Sequence, residues 1–575
     1  PRNPREEILC TLFAEVLGLN HITIDDNFFN LGGDSISSIQ LSSRARRAKL
    51  ALSARQVFEH QTVAELAVQV QEAADERAEE PGAGVGDVLL TPIVRWLAEL
   101  GGRVDGFHQS RFLRTPGVAR YEQLTEVLQI LLDHHDALRM RAHAAGDAGW
   151  TLTIGPPGSV RAHDCLRRVD VTGLDEAAYV DRVRAEAAAA RQRLAIDGSL
   201  VQAVWFDRGV DRSGRLVLVV HHLAVDAVSW RILLPDLAEA WDAVAAGGPV
   251  QLAPVGTSLR TWARRLADWG RQPQRQAELP VWTEVLGPPD APLGGRPLDP
   301  EKDIVASATG LTVRLAPDIT EAVLSEVTSV FHAEMTDVLM AALAIAFRTT
   351  GLAGPRGLLV DLEGHGRAEE LVGGVDLSRT VGWFTTSHPA RLDTGSADPS
   401  ILRGGGAAVG TVLKQVKEHL RTVTGIGLGY GLLRYSDRRT GAVLARLAQP
   451  QVGLNYLGRA PAAASGTDAD WSVATDVPGV VGQDPAMRLP HALEIVAIVR
   501  DAGAGLHLES TWVWPDGLFA ESQIREVTQA WFDALTALVQ HARADGGGLT
   551  PSDVALTGLD QSEIDLLEAE WDRDE

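Results

Sequence analysis

An apolar run ends in two imidazoles and a nearby carboxylate: Leu216-Val217-Leu218-Val219-Val220-His221-His222-Leu223-Ala224-Val225-Asp226. The run is long enough for a buried strand, so its end presents polar groups at the lip of a core, and an imidazole held there can take or give a proton near neutral pH. The same pattern also fits a satisfied core histidine followed by an aspartate that caps the next helix. Ser35 is a second candidate. In Leu31-Gly32-Gly33-Asp34-Ser35-Ile36 two glycines free the backbone and the serine stands exposed at the first turn of a helix, where it also reads as a plain N-cap. His134-His135-Asp136 offers another pair, but it sits at a helix-to-strand junction without a preceding β-branched run and reads as scaffold.

Positioning these groups takes several units. Leu9, Leu12, Phe13 and Val16 form one apolar helix stripe that Gly18 terminates, a helix follows Ser35 to about residue 50, and Thr62-Val63-Ala64-Glu65 is a capping box that opens a last helix. Residues 4–74 therefore read as a small helical bundle. Residues 72–86 are charged and then Pro/Gly-rich, which marks a linker. Beyond residue 88, strand-like runs at 150–154, 202–206 and 216–222 alternate with helices near 175–194 and 234–246. After a Pro/Gly-rich stretch at 287–300, strands near 311–315, 357–362, 451–456, 493–499 and 506–514 accompany helices from Ile319, Met335, Gly410 and Glu521. This is mixed α/β layering in two lobes of similar size, with a cleft between them as the place for a ligand.

Composition removes several classes of function. At 575 residues the chain is too long for one core, and 45% hydrophobic with 22% charged residues is ordinary for a globular protein. No apolar run approaches the roughly 20 residues that cross a bilayer. The start, Pro1-Arg2-Asn3-Pro4-Arg5, has neither a signal-peptide core nor an initiator methionine, so a piece of a longer cytoplasmic polypeptide is expected. A net charge of −23 argues against nucleic acid. Cys10 and Cys165 lie too far apart in sequence to suggest a thiolate metal site, a disulfide framework or a two-thiol racemase. The four lysines, Lys49, Lys302, Lys414 and Lys417, lack the setting of a Schiff base, which disfavours pyridoxal phosphate chemistry.

The N-terminal segment resembles the peptidyl carrier protein domain of nonribosomal peptide synthetases, with the L-G-G-x-S motif intact, and Asp34 before the serine is the form found in carriers that precede an epimerization domain. Thr91-Pro92-Ile93-Val94-Arg95-Trp96 resembles the first motif of the condensation and epimerization superfamily, and Phe107-His108-Gln109-Ser110 follows where that family has an early strand. His221 to Trp230 resembles H-H-x-x-x-D-G, with Ala227 where glycine is usual. Leu362-Glu363-Gly364-His365-Gly366-Arg367 and Arg379-Thr380-Val381-Gly382-Trp383-Phe384-Thr385 resemble epimerization-type motifs closely, and Gly427-Leu428-Gly429-Tyr430-Gly431 and Leu454-Asn455-Tyr456-Leu457-Gly458 complete the superfamily's set, although Thr424 stands where proline commonly leads the glycine motif. Together they cover residues 88 to about 548 in the family's order.

The resemblance implies a small four-helix carrier at 1–74, a linker at 75–87, and a large α/β domain of two chloramphenicol-acetyltransferase-like lobes, 88–272 and 273–548, forming a V-shaped cleft. Residues 549–575 would be a linker or docking tail. It implies 4′-phosphopantetheine covalently on Ser35, whose helix N-terminus suits a phosphodiester. No metal is implied. The partners implied are an upstream adenylation domain, a downstream condensation domain and a phosphopantetheinyl transferase. Inverting Cα of a thioester needs groups on both faces of the carbon, and the resemblance maps them onto His222 and Glu363. A glutamate enclosed by apolar walls has its pKa raised toward neutrality and exchanges protons more effectively. His221 and Asp226 become supports, Asp226 paired with an arginine. Asn455 and Tyr456 either line the pocket or end a strand with a packing tyrosine. His365 either orients Glu363 or is a loop histidine, and Trp383 and Phe384 pack. A condensation domain that forms an amide between carrier-bound substrates shares the fold and the double histidine, and a silent carrier-docking module is a further alternative. The motif Glu363 to Arg367, residues 379–385 and Asp34 favour epimerization.

Overall fold

A computed structural model describes the chain outside residues 34, 73–78, 145–148, 210–211, 426, 461–468, 478–482, 502–504, 545, 555–558 and 575, and outside the side chains of 35, 36, 47, 54, 58, 72, 424 and 569–574. Asp34 and the side chain of Ser35 thus lie outside the described residues. The first helix, α1 (Pro4–Leu17), starts on the side chain of Asn3, which accepts the Glu6 N–H, and stops at Gly18 in the left-handed conformation. It joins α2 (Ser35–Arg47), α3 (Ala54–Glu59) and α4 (Val63–Gln69), the last two opened by capping boxes at Ser53 and Thr62. Leu9, Phe13, Phe28, Leu41, Val57 and Leu66 close one small core. This is the helical carrier-type unit expected.

The first lobe is built on β1 (His108–Arg114), β2 (Leu166–Asp170), β3 (Val201–Asp207) and β4 (Arg215–His221), in the order β1-β4-β3-β2. β4 is antiparallel to both neighbours, and every one of its residues is buried. Leu216, Leu218 and Val220 face one core with Trp230 and Trp262, while Val217 and Val219 face another with Val183 and Phe206. Cover on both faces explains a continuous apolar run where alternation would mark a half-exposed strand. The strand ends at His221, one residue earlier than expected, and His222 begins a short 3₁₀ turn. The next helix, α5 (Ala227–Ala245), starts well before the expected residue 234 because Asp226 caps it, and it carries Pro235 inside. A good cap and a buried apolar face outweigh the one backbone bond that proline forfeits.

The second lobe holds β5 (Ala308–Arg314), β6 (Leu358–Gly364), β7 (Thr386–Leu392), β8 (Val452–Arg459), β9 (Leu493–Asp501) and β10 (Leu506–Pro515), in the order β5-β10-β9-β8-β6-β7. The parallel pairs β6/β8 and β8/β9 form its centre, under α6 (Met335–Thr349), α7 (Ala407–Thr424) and α8 (Glu521–Ala544). β7 has no counterpart among the strands expected from the sequence. Pro389 interrupts its pattern, and an edge strand tolerates that residue. The two lobes are not separated by a single cut. Leu377, Val381, Trp383 and Phe384 pack into the first lobe's core, and the amides of Trp471 and Ala474 donate to the carbonyls of Arg114 and Phe112 at the edge of β1. The last helix, α9 (Gln561–Asp574), returns to α7 through Lys414, which pairs with Asp565 and Glu568. No single described helix is long and apolar enough to cross a membrane.

His135 is structural in this fold. Its Nε2 lies 2.9 Å from Asp236 Oδ2, and Arg379 Nη2 donates to both oxygens of the same carboxylate at 2.9 and 2.7 Å. The three side chains are almost fully enclosed. Removing Arg379 strands a buried carboxylate. Arg379→Ala is expected to lower stability by about 3–5 kcal/mol, read as a lower urea midpoint with an unchanged slope.

Candidate active site

His222 leaves the end of β4 between two aromatic rings. Phe107 stacks on it at 4.7 Å and an interplanar angle of 15°, and Trp383 lies at 4.9 Å. Gln109 Nε2 is 2.9 Å from His222 Nε2. Burial pushes this imidazole down to about 4, with Asp226 offsetting part of the effect. His221 is fully buried and satisfied: its Nε2–H donates to the Val104 carbonyl at 2.8 Å, and its Nδ1 accepts the Leu223 N–H at 3.0 Å. Those two bonds fix the geometry of the turn from which His222 projects.

Glu363 stands at the end of β6, opposite Ser387 of β7. Its side chain is solvent-accessible, although protein atoms crowd around the carboxyl. Asn455 Nδ2 donates to its Oε2 at 2.5 Å. Burial pushes the carboxyl up to about 7, aided by Glu494 and Asp361 and opposed by His491 and the Asn455 amide. Glu494, Asp361 and His491 form a charged cluster on the same side of the sheet. His491 Nδ1 lies 2.6 Å from Glu494 Oε1, and Nε2 lies 3.2 Å from Asp361 Oδ2. Two carboxylates can each accept from this ring only if both nitrogens carry protons. Burial alone would lower His491, but the two acids outweigh it and hold the imidazolium well above its usual range. Gly453 is what makes the room: a Cβ there would meet His491 Nδ1 and Glu494 Oε2 at 2.6 Å.

Asp226 and Arg367 tie the two loops together. The Arg367 guanidinium donates to Asp226 at 3.1 and 3.2 Å and to the carbonyls of Leu377 and Thr380 at 2.8 and 2.7 Å, and it lies 4.1 Å over the Phe384 ring. Asp226 also accepts from the Ser229 amide and hydroxyl, both at 2.7 Å, and from the Phe384 amide at 3.3 Å. His222 and Glu363 each lie four residues before one half of this pair, so closing it sets both loops. Gly366 permits the approach: its φ is +67°, and a Cβ would lie 1.7 Å from the Phe384 carbonyl oxygen. Ala227, where the motif usually has glycine, is an exposed first residue of α5. His365 Nδ1 accepts the Arg367 amide at 3.0 Å, so it shapes the turn to Arg367. Tyr456, next to Asn455 in β8, packs against the second lobe's core.

The carrier unit rests on this same region. Arg46 of α2 pairs with Glu369 and Asp376, and Arg231 of α5 donates to Gln40 at 3.0 Å. Gly32 lies against Arg459 at the end of β8, where a Cβ would be 2.7 Å from Nη1. The start of α2, whose first residue is Ser35, therefore combines the positive end of a helix dipole with a guanidinium against the adjoining loop. Both suit a phosphodiester, so this end of the carrier fits phosphopantetheine. Gln109, Asp361, His491 and Glu494 are site residues that sequence reasoning does not find. Gln109 reads only as part of a strand, and Asp361 is far in sequence from His491 and Glu494, so that no local pattern links the acid beside Glu363 to the His491–Glu494 pair. Only the register Asp361↔Gly453 and Gly453↔Glu494 brings them together.

Residues 85–547 match the family described as the condensation domain, and residues 7–68 match the phosphopantetheine attachment site. The chain is 36% identical to a linear gramicidin synthase polypeptide of Brevibacillus parabrevis, over 98% of this chain and 7% of that protein. It is 35% identical to chondramide synthase of Chondromyces crocatus, over 99% of this chain and 14% of that one. It thus spans a small part of the length of these relatives. Among solved structures, the epimerization domain from the third module of tyrocidine synthetase B aligns with a TM-score of 0.67 at 24% identity, over 81% of this chain and 99% of that chain. The first condensation domain of the CDA synthetase aligns at 0.53 and 17% identity, over 80% and 97%. These two likenesses establish the fold.

The environment of Glu363 makes a thermodynamic prediction. Its ordinary value of 4.5 becomes about 7 in the fold. Between those values the folded chain binds a proton that the unfolded chain has lost, so this group's contribution to stability falls as pH rises through that window. Glu363→Gln removes the titration and keeps an acceptor for Asn455. The variant's melting temperature, relative to the native chain, should be higher at pH 8 than at pH 5; a constant offset would reject the raised value.

Proposed function

The chain belongs to the condensation-domain family, with a phosphopantetheine carrier unit ahead of the large domain, and from that premise we propose that the large domain inverts Cα of an aminoacyl or peptidyl group tethered to Ser35. The observation that carries this reading is Glu363, a carboxyl shifted toward neutrality at the end of β6, whose following turn is bound through Arg367 and Asp226 to the loop of His222. Joining two carrier-bound substrates through an amide does not call for a second proton-transfer group of this kind, whereas inversion does.

The bound phosphopantetheine arm presents the acyl group as a thioester, which acidifies Cα–H. The protein supplies one exchangeable proton shared between two sites. With Glu363 pushed up to about 7 and His222 down to about 4, Glu363 holds a proton more tightly than His222, and the form of the pair competent for inversion is a carboxylic acid with a neutral imidazole. His222 then accepts the α-proton, and Glu363 returns its proton to the opposite face. The pair finishes as imidazolium and carboxylate and resets by exchange with solvent. Asn455 holds the Glu363 carboxyl in place, and Trp383 and Phe107 fix the imidazole plane. The Arg46 ion pairs and the Gly32–Arg459 contact support delivery of the tethered group from the carrier side of the cleft. An upstream adenylation domain would load the carrier, and a downstream condensation domain would use the D-configured product.

The test is direct. The pantetheinylated chain, loaded with an L-aminoacyl group in D2O, should gain one deuterium at Cα and yield an L/D mixture. Glu363→Gln and His222→Ala should each lower the inversion rate by about 10²–10⁴-fold. Because Glu363 must start protonated, inversion should fall as pH rises through about 7. Amide formation with a second loaded carrier, or no exchange at Cα, would overturn the reading.

A further inference from the structure

His222 has a neighbour that decides where its proton sits. Gln109 projects from β1 between two ring systems, with Nε2 at 2.9 Å from His222 Nε2 and Oε1 at 2.6 Å from Trp230 Nε1. Trp230 is buried and lies on α5, just after the cap at Asp226. An indole N–H can only donate, so the amide oxygen of Gln109 must face Trp230. The amide NH2 must then face His222, and His222 Nε2 must be the unprotonated nitrogen. In a neutral ring the proton is left to Nδ1. Nδ1 is itself buried against the backbone of its own turn, without a well-formed hydrogen-bond partner among the described residues. Arg111, two residues along β1 and on the same face, places its guanidinium 4.8 Å from the centre of the Trp230 ring and so holds the far end of the chain of contacts.

We propose that Gln109, oriented by Trp230, is a positioning residue that holds His222 in the Nδ1–H tautomer and so keeps Nε2 as a proton acceptor. The proposal rests on the reading of His222 as a proton-transfer group given above. In the transfer, the Cα–H bond breaks, an Nε2–H bond forms, and the electron pair moves onto the thioester. Nε2 has one lone pair, so the Gln109 N–H must swing off it before Cα–H can approach, and it cannot return while Nε2 carries the new proton, because an amide N–H cannot accept. Gln109 cannot turn its oxygen toward the ring without giving up Trp230. The device therefore selects the acceptor form at rest and disfavours the imidazolium, which speeds release of the proton. The other titratable groups near the ring are Asp226 at the following cap, which favours the charged form, and His108 on β1, which opposes it. His221, whose own bonds hold it neutral, adjoins the ring in sequence.

The tautomer can be read without any turnover, by long-range ¹H–¹⁵N correlation on the full chain labelled with ¹⁵N-histidine. The signals of His222 are those missing from His222→Ala. In the native chain at pH 7 they should show the Nδ1–H pattern. Gln109→Leu and Trp230→Phe, checked for folding by circular dichroism, should both admit the Nε2–H form. Gln109→Glu supplies an acceptor in place of the donor, so it should shift His222 to Nε2–H or imidazolium and move the acid limb of the inversion profile to higher pH. A native His222 already in the Nε2–H or charged form would overturn the proposal, as would an unchanged tautomer in folded Gln109→Leu. Loss of inversion in the native chain with the Nδ1–H pattern intact would reject the functional reading and leave this one standing; the reverse result would do the opposite.

Discussion

Everything at the candidate site hangs on one buried ion pair. Asp226 and Arg367 are almost wholly excluded from water. Their attraction alone would barely repay the desolvation of two charges, so the pair depends on the further hydrogen bonds that both Asp226 oxygens and both Arg367 Nη atoms make, although Arg367 Nε finds no partner among the described residues. Asp226 takes the first turn of α5 and the Phe384 amide, and Arg367 takes two carbonyls and an aromatic face. The geometry is over-determined by six contacts besides the ion pair itself. A loop from the end of β4 and a loop from the end of β6 are thereby held in one arrangement, although the strands belong to different sheets. Residues 377–384, which sit between the lobes in space, are recruited into the first lobe's core by the same contacts.

That constraint gives the two ends of the clamp different electrostatic surroundings. His222 is enclosed by rings and an amide, and the low dielectric penalises its cation. Glu363 sits in a similar depth of protein but beside a cluster with two carboxylates and one imidazolium, so its anion is penalised twice. Burial acts on both groups and drives them in opposite directions because one is a base and the other an acid. The two affinities for a proton thus cross over from their usual order.

The fold was legible to the extent that hydrophobic pattern reports it. The first, second and last carrier helices, β3, β4 and the central strands of the second lobe stand where the sequence pattern put them, within about three residues, while the short helix Ala54–Glu59 was not read from the pattern. The failures have physical causes. β7 contains a proline that only an edge strand accepts, and α5 begins seven residues before its expected start because a cap outweighs an internal proline. The linking of the lobes was not legible at all, because the backbone contacts of residues 471–474 with β1 depend on two distant segments meeting and leave no mark in local sequence.

The site divides the same way. Motif residues near one another in sequence carry their own signal: His222 with Asp226, Glu363 with Arg367, and the glycine turn before Ser35 all announce polar groups or free backbone at the ends of apolar elements. What those residues do to each other is a matter of distance in space, and distance is set by sheet register and by the packing of rings. Asn455 turned toward Glu363 and Tyr456 turned into the core because neighbouring residues on a strand face opposite ways. His491 lies beside Glu363 because parallel pairing places β8 between β6 and β9. Sequence alone therefore determined which chemical groups the chain would offer and at which element ends. The tertiary structure decided how tightly each of them holds a proton, since pKa values and tautomers follow from neighbours that the chain brings together only on folding.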